Sequence, residues 1–469
     1  MVRLYFVLLL LSPFLSFGDI YTVDPNGTYK TVQSISALVD DGDTIYIKPG
    51  VYVNQPQVYF TKNNLFISGL DGRPRLEAGS TLANKSNGKA LFVISGANCI
   101  VEHIEFANAK VPDRNGAGIR QEGCDLTVQY CYFLGNEMGI LGGNYSDCKV
   151  TIEHCVFSNN GSPSNPGFQH NVYINHIDTL VFQYNYTINA IAEGHELKSR
   201  AHFNLIRYNY IGNLSSNDSR NIDLPNGGTT ILVGNVIEQS NNSVNSNLVG
   251  YGLEGLTNTA PHNLWVVNNT FVNRKDKGSF VQVAGNTDTL YLKNNILVGR
   301  KTGGLLIGSP AHLDSGNNVI SDQIGAAGFE NSTLKDYHLT NNSICVNQGT
   351  LALPRIGSYA LKPFKEYDDT ASFMDRKIVG SLDIGAYEFD GKASTNLISV
   401  NKLSVYPNPV TNNMLFINRV RNTPFEIVTI EGKSLYSGTF VNGIAQITGV
   451  SSGVYLLVVG DSKQLLCFK

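Results

Sequence analysis

Val128-Gln-Tyr-Cys131-Tyr-Phe133, Ile152-Glu-His-Cys155-Val-Phe157, Ile206-Arg-Tyr-Asn209-Tyr-Ile211 and Val266-Val-Asn-Asn269-Thr-Phe271 are one theme written four times. An apolar residue is followed by two variable residues, then Asn or Cys, with another apolar residue within two positions. The theme returns at Asn185, Asn235, Asn295 and Asn318, giving intervals of 24, 30, 24, 26, 34, 26 and 23 residues. A period in the twenties, built from β-type residues and punctuated by Gly and Asn, predicts a solenoid in which each turn is one coil. Residues one period apart then lie about 4.8 Å apart on adjacent parallel strands. Asn at the theme position suits a tight turn, because it tolerates left-handed backbone. Stacked from coil to coil, these side chains can also bond one another.

Outward from the repeat, residues 31–39 read as a short amphipathic helix covering the exposed first coil. Strands follow one another over 44–318, with protruding loops predicted at 162–167 and 241–247. Asp383-Ile-Gly-Ala-Tyr-Glu-Phe389 reads as a closing strand and 391–400 as a polar linker. Residues 401–469 carry short alternating strands with turn signals, consistent with a small β-sandwich. Residues 1–18 have the form of a secretory leader, with Arg3, an apolar stretch from Leu4 to Leu15 and a small-x-small end at Ser16-Phe-Gly18. The expected organisation is a leader (1–18), an all-β parallel β-helix (19–390), a linker (391–400) and a C-terminal β-domain (401–469).

The 469 residues exceed one ordinary core, which favours an elongated array. A net charge of −3, with no basic run interleaved with aromatics, argues against a nucleic-acid partner. Beyond the leader, no stretch approaches the ~18–20 apolar residues needed to span a bilayer. The mature chain is therefore expected to be exported, and a monomer. Cys124 and Cys148 are 24 residues apart, as are Cys131 and Cys155, so each pair occupies equivalent positions on neighbouring coils. Stacked buried thiols are expected there, and a bridge between coils is sterically open as the alternative. No CxxC or His/Cys cluster suggests a cysteine metal site.

Counting back from the theme position finds a functional face. Tyr173 is 12 before Asn185, Lys198 is 11 before Asn209 and Asp223 is 12 before Asn235. Val172, Ile174, Leu197, Ile222 and Leu224 should face the core, so alternation throws Tyr173, Lys198 and Asp223 outward. Asn171, Glu196 and Asn221 are expected as a second outward row, with His170, His195, Arg200 and Arg220 at the strand ends. The blander reading is a solvated sheet face, with the two histidines capping turns and Arg220 paired to Asp218. Tyr251 and Glu254 sit on the next coil, where the count to Asn269 breaks down.

A phenol, an amine, imidazoles and guanidinium groups on an elongated wall suit an acidic polysaccharide. β-Elimination from a uronate needs a base, an acid for the leaving oxygen and a cation to neutralise the carboxylate. Lys198, Tyr173 and His170 can supply the base and the acid, Arg200 or Arg220 the cation. Asp223 and Glu196 would orient the lysine or hold a calcium ion; as an acid and base pair they would instead make the chain a glycoside hydrolase. A non-catalytic carbohydrate-binding or surface scaffold is the third reading.

Residues 20–390 resemble the right-handed parallel β-helix of the pectin-lyase-like superfamily. Within them, Glu196-Leu-Lys-Ser199 followed by Asn204-Leu-Ile-Arg-Tyr-Asn209 is similar to a segment of the chondroitinase B and alginate lyase family. That resemblance implies that Lys198 is the catalytic base. Where the family carries Leu-Arg-His-Gly one coil later, this chain has Leu224-Pro-Asn-Gly227, so no arginine carries over at that position. The C-terminal segment resembles the type A sorting domain of type IX secretion in Bacteroidetes. The resemblance rests on Tyr406-Pro-Asn-Pro-Val410, Ile430-Glu-Gly432, Ser452-Gly-Val-Tyr455 and the basic terminus Lys469, and implies the secretion machinery as partner.

Overall fold

A computed structural model describes residues 18–213, 215–368 and 371–391, and toward the C-terminus 405–406, 410, 414–417, 423–429, 433–440, 444–460 and 462–468. The expected leader apart from Gly18, the linker apart from Gly391, residues 407–409 and 430–432, and Lys469 lie outside the described residues.

Each coil contributes one strand in turn to three parallel sheets. The first sheet runs through 12 strands from Ile20–Val23 to His312–Gly316. The second has 11, from Val51–Gln55 to Val319–Ser321, and the third has 10, from Val58–Phe60 to Leu306–Ile307. Inward side chains of all three meet in one elongated core, along which Phe60, Phe92, Phe106, Phe133, Phe157 and Phe182 follow one another, edge to face from Phe60 to Phe106, stacked from Phe106 to Phe157 and tilted on to Phe182. Burying each such ring stabilises the coil by roughly 2–3 kcal/mol. The first coil is covered by a 3-10 turn at Val32–Ser34, shorter than the expected helix, which buries Val32.

The theme asparagines form a buried ladder between the first and second sheets. Each backbone N–H from Asn185 to Asn295 donates to the side-chain oxygen of the next at 2.8–3.1 Å. Each side-chain amide also donates to a carbonyl of the preceding coil, as Asn235 does to Ile206 at 2.9 Å. The sharp corner falls one residue earlier than the sequence suggested. His154, Tyr184, Tyr208, Asn268 and Asn294 have φ between 52° and 58°, whereas the ladder asparagines do not take positive φ. A side chain committed to the interior leaves the left-handed bend to its neighbour. At these corners His103, Tyr130, His154, Tyr184 and Tyr208 stack with centroids 4.6–5.8 Å apart.

Of the two cysteine pairs, Cys124 and Cys148 form a disulfide, while Cys131 and Cys155 are buried thiols. The 34-residue interval before Asn269 holds two loops. One precedes the strand Asn247–Tyr251, so the predicted loop ends one residue earlier; the other, over 252–262, escaped the sequence reading.

After Ser321 the solenoid ends and the chain turns back over it through three short antiparallel hairpins, the last pairing Lys365–Asp368 with Ser372–Asp375. This return segment packs Tyr337, Leu339 and Tyr367 on the outer face of the second sheet. It packs Leu361 and Phe373 on the outer face of the first. Residues 383–389 are not the closing strand expected. Residues 383–388 lie buried and Phe389 partly so, outside any strand and anchored by the Gly385 N–H donating to the Asn294 carbonyl at 2.8 Å. The C-terminal residues form antiparallel sheets of three and four strands around Leu415, Ile427, Phe440, Leu457 and Leu466.

Candidate functional site

The third sheet brings Tyr173, Lys198 and Asp223 into one row. Tyr173 pairs with Lys198, Lys198 with Asp223, and Asp223 with Gly250. Val172, Ile174, Leu197, Ile222 and Leu224 are buried in the core beside them. The row points outward yet is roofed: the Lys198 side chain is 11% exposed and that of Asp223 3%.

The roof is made of charge. Lys198 Nζ lies 2.7 Å from Glu254 and 3.4 Å from Asp223. Arg200 donates from Nε to the Tyr173 hydroxyl at 2.9 Å, from Nη1 to Asn226 at 2.6 Å and from Nη2 to Glu254 at 2.6 Å. Arg220 Nη1 lies 3.3 Å from Asp223, so its partner is Asp223 rather than the expected Asp218. Arg220 lies flat across the next coil because residue 250 is glycine; a Cβ there would stand 2.9 Å from its Nε. Three cations thus face two carboxylates. Burial pulls the Glu254 carboxyl up, but hydrogen bonds and charges from Lys198 and Arg200 outweigh it and hold the group at about 2.

His170 and His195 stack at 4.9 Å behind this row. His170 Nδ1 accepts from the His195 backbone N–H at 3.0 Å, and His195 Nδ1 from that of Arg220 at 3.1 Å. Each ring therefore keeps its proton on Nε2. Burial drives both toward the neutral form, His195 to about 4 and His170 well below its ordinary range with the neighbouring cations adding to the effect. His170 accordingly rests as a neutral ring with Nδ1 taken up by a backbone N–H. His195 Nε2 is 3.5 Å from Asp223 and helps to fix that carboxylate.

The second row does not face outward. Asn171, Glu196 and Asn221 are fully buried. Each stands one residue before its strand, in a corner where alternation does not apply, and turns inward to satisfy buried backbone groups. Asn171 donates to the Ile188 carbonyl at 3.0 Å and Asn221 to that of Glu238 at 2.9 Å. Glu196 accepts from the Ala190 N–H at 2.8 Å, from the Thr187 hydroxyl at 3.1 Å and from the Asn171 amide. Burial, with Asp218 nearby, pushes its carboxyl well up. These three side chains do not reach a polymer on the outer wall, and Glu196 cannot pair with Asp223 as hydrolytic carboxylate or calcium ligand. Among the described residues no group of three or more His, Cys, Asp or Glu is arranged around a metal position. The carboxylates that do meet at the site, Asp223 and Glu254, are already held by three cations and do not fit a calcium seat.

Glu254, a weak candidate in the sequence, is brought into the centre by the loop over 252–262. Tyr251 instead turns into the core and donates to the Gly228 carbonyl. Asn226, in the Leu224-Pro-Asn-Gly227 turn, was missed. Its signal was the departure from the family pattern at that turn, where an amide oxygen now seats Arg200.

Residues 404–469 match the family described as the secretion system C-terminal sorting domain. No curated protein matches the chain in sequence. Among solved structures, the chain is similar to pectate lyase Pel9A at 14% identity, with 80% of this chain and 98% of that one covered and a TM-score of 0.54. Pectin methylesterase PemA from Erwinia chrysanthemi shares 14% identity over 49% of this chain and 81% of its own, with a TM-score of 0.33. The PL6 family alginate lyase AlyGC shares 13% over 60% and 44%, with a TM-score of 0.31. The chain is thus a parallel β-solenoid that ends in a secretion sorting domain, and is marked for export to the cell surface or beyond.

Proposed function

We propose that this chain is an exported polysaccharide lyase that cleaves a uronic-acid polymer by β-elimination. The observation that carries the reading is the row of Tyr173, Lys198 and Asp223 on one wall of the solenoid, flanked by Arg200 and Arg220. The Pel9A-like solenoid is consistent with it as a fold.

In this mechanism Arg200 pairs with the uronate carboxylate and makes the adjacent C–H more acidic. Lys198 Nζ, donating at rest to Glu254 and lying against Asp223, gives up one proton to solvent as substrate displaces Glu254, and the lone pair so formed removes the C–H proton. Electrons from the C–H bond form the new C=C bond as the glycosidic C–O bond breaks. The Tyr173 hydroxyl, aligned by Arg200, protonates the leaving oxygen. Asp223 orients Lys198, and Arg220, one coil on, meets the next carboxylate of the polymer.

A hydrolase would need one carboxyl that keeps its proton. Glu196 is enclosed in the corner, and Glu254 is ionised between two cations, so neither serves as that acid. The test is a panel of uronate polymers offered to the mature protein, with chelator in half the wells. Ultraviolet absorbance from an unsaturated uronate product, retained in chelator, is the expected result. New reducing ends without that absorbance would establish hydrolysis, and binding with neither signal would leave a scaffold.

A further inference from the structure

Glu254 occupies both cations that a bound uronate requires. Its Oε1 accepts from Lys198 Nζ at 2.7 Å and its Oε2 from Arg200 Nη2 at 2.6 Å, one oxygen to each cation. A substrate carboxylate docking on Arg200 would take the seat of Oε2 and leave the Lys198 nitrogen facing the adjacent C–H. The Glu254 side chain is 45% exposed, while those of Lys198 and Arg200 beneath it are 11% and 16% exposed. The anion is therefore the outermost member of the cluster, on the side from which a polymer arrives.

The backbone that carries it is fixed. The Gly252 N–H donates to the Leu224 carbonyl at 2.8 Å, Glu254 N–H to that of Pro225 at 3.0 Å and Asn258 N–H to that of Asn226 at 3.1 Å. The Asn226 amide closes the loop by donating to the Thr257 hydroxyl at 2.8 Å. Rotation about the Glu254 side-chain torsions alone frees both cations, with no loop opening.

We propose that Glu254 is a built-in stand-in for the substrate carboxylate, seated on Lys198 and Arg200 at rest and displaced by an incoming uronate. The inference rests on the uronate reading above and adds a selectivity device to it. A neutral sugar cannot replace the ion pairs that Glu254 gives up, so neutral polymers are refused by competition rather than by shape. The same displacement frees the Lys198 nitrogen, tying activation of the base to arrival of the correct charge. If Glu254 is seated nine-tenths of the time, apparent affinity is lowered about tenfold, and removing the side chain recovers that factor.

The test uses the full chain as wild type, Glu254→Gln and Glu254→Ala, titrated calorimetrically with D-galacturonate, D-mannuronate and D-glucuronate, and with D-galactose as the neutral control. These monosaccharides have no glycosidic leaving group and do not turn over. Both variants are expected to bind at least one uronate about tenfold tighter than wild type, with D-galactose unchanged. Uronate binding that is equal or weaker in variants with wild-type melting temperatures overturns the stand-in and leaves the uronate reading intact. No uronate binding by any of the three proteins, all folded, overturns both.

Discussion

Replacing Lys198 separates the chemistry of the site from its architecture. Lys198 contacts two carboxylates, but neither depends on it alone: Arg200 holds Glu254 at 2.6 Å and Arg220 holds Asp223 at 3.3 Å. Lys198→Ala therefore strands no buried charge. Its cost in stability should be about 1–2 kcal/mol, below the roughly 3–5 kcal/mol of an uncompensated buried ion. Loss of a general base slows turnover by about 10²–10⁴-fold, or roughly 3–5 kcal/mol in the barrier. Lys198→Arg is the sharper variant, since it keeps a cation against both carboxylates but cannot shed a proton to act as base. The assay is the initial rate of ultraviolet product formation on a responsive polymer, read beside the urea midpoint of each variant. Expected are a folded Lys198→Arg protein and a rate lower by at least about 10²-fold. Wild-type turnover in Lys198→Arg would refute the base assignment, and loss of rate only in parallel with loss of fold would assign Lys198 to architecture.

Asn235→Ala removes the acceptor of the Asn209 N–H and the donor to the Ile206 carbonyl, leaving two buried groups unpaired. A loss of about 2–6 kcal/mol is expected, and an unchanged denaturation midpoint would show that the ladder is decorative. Burial also raises Asp218, to about 7, as it raises its neighbour Glu196. A folded-state pKa above the unfolded value favours the native state at low pH. That contribution is complete below about 4 and is lost as pH rises through about 7. Because the buried His170 and His195 act in the opposite sense below about 6.5, the readout is a difference: between about pH 5 and about pH 8 the urea midpoint of wild type should fall more, or rise less, than that of Glu196→Gln, and superimposable profiles contradict the assignment. Alkylation of the denatured, unreduced chain should leave Cys124 and Cys148 unmodified, and peptide mapping that finds either one labelled removes the bridge.

The repeat was legible because burial on a coil imposes a strict demand. Each theme Asn must meet the next, so its spacing is written into the chain, and the outward direction of Lys198 followed from Leu197 beside it in one strand. What failed lay where alternation stops. Asn171, Glu196 and Asn221 stand in corners, and a corner side chain goes wherever an unpaired carbonyl calls it. Glu254 was hard to place for a different reason, because its position depends on a loop pinned by backbone bonds to Leu224, Pro225 and Asn226 that no period encodes. The return segment was not legible, since its hairpins pack on the outside of the sheets and follow no coil count.

That return segment acts as a splint with a fixed gauge. It grips the corner of His154 through the Ala371 carbonyl, that of Tyr208 through the Phe364 N–H and that of Asn294 through Thr350. Adding or deleting one winding between His154 and Asn294 would slide the wall about 4.8 Å past these grips and break several together. In proteins built this way, the stretch bearing Lys198 should keep a set number of turns.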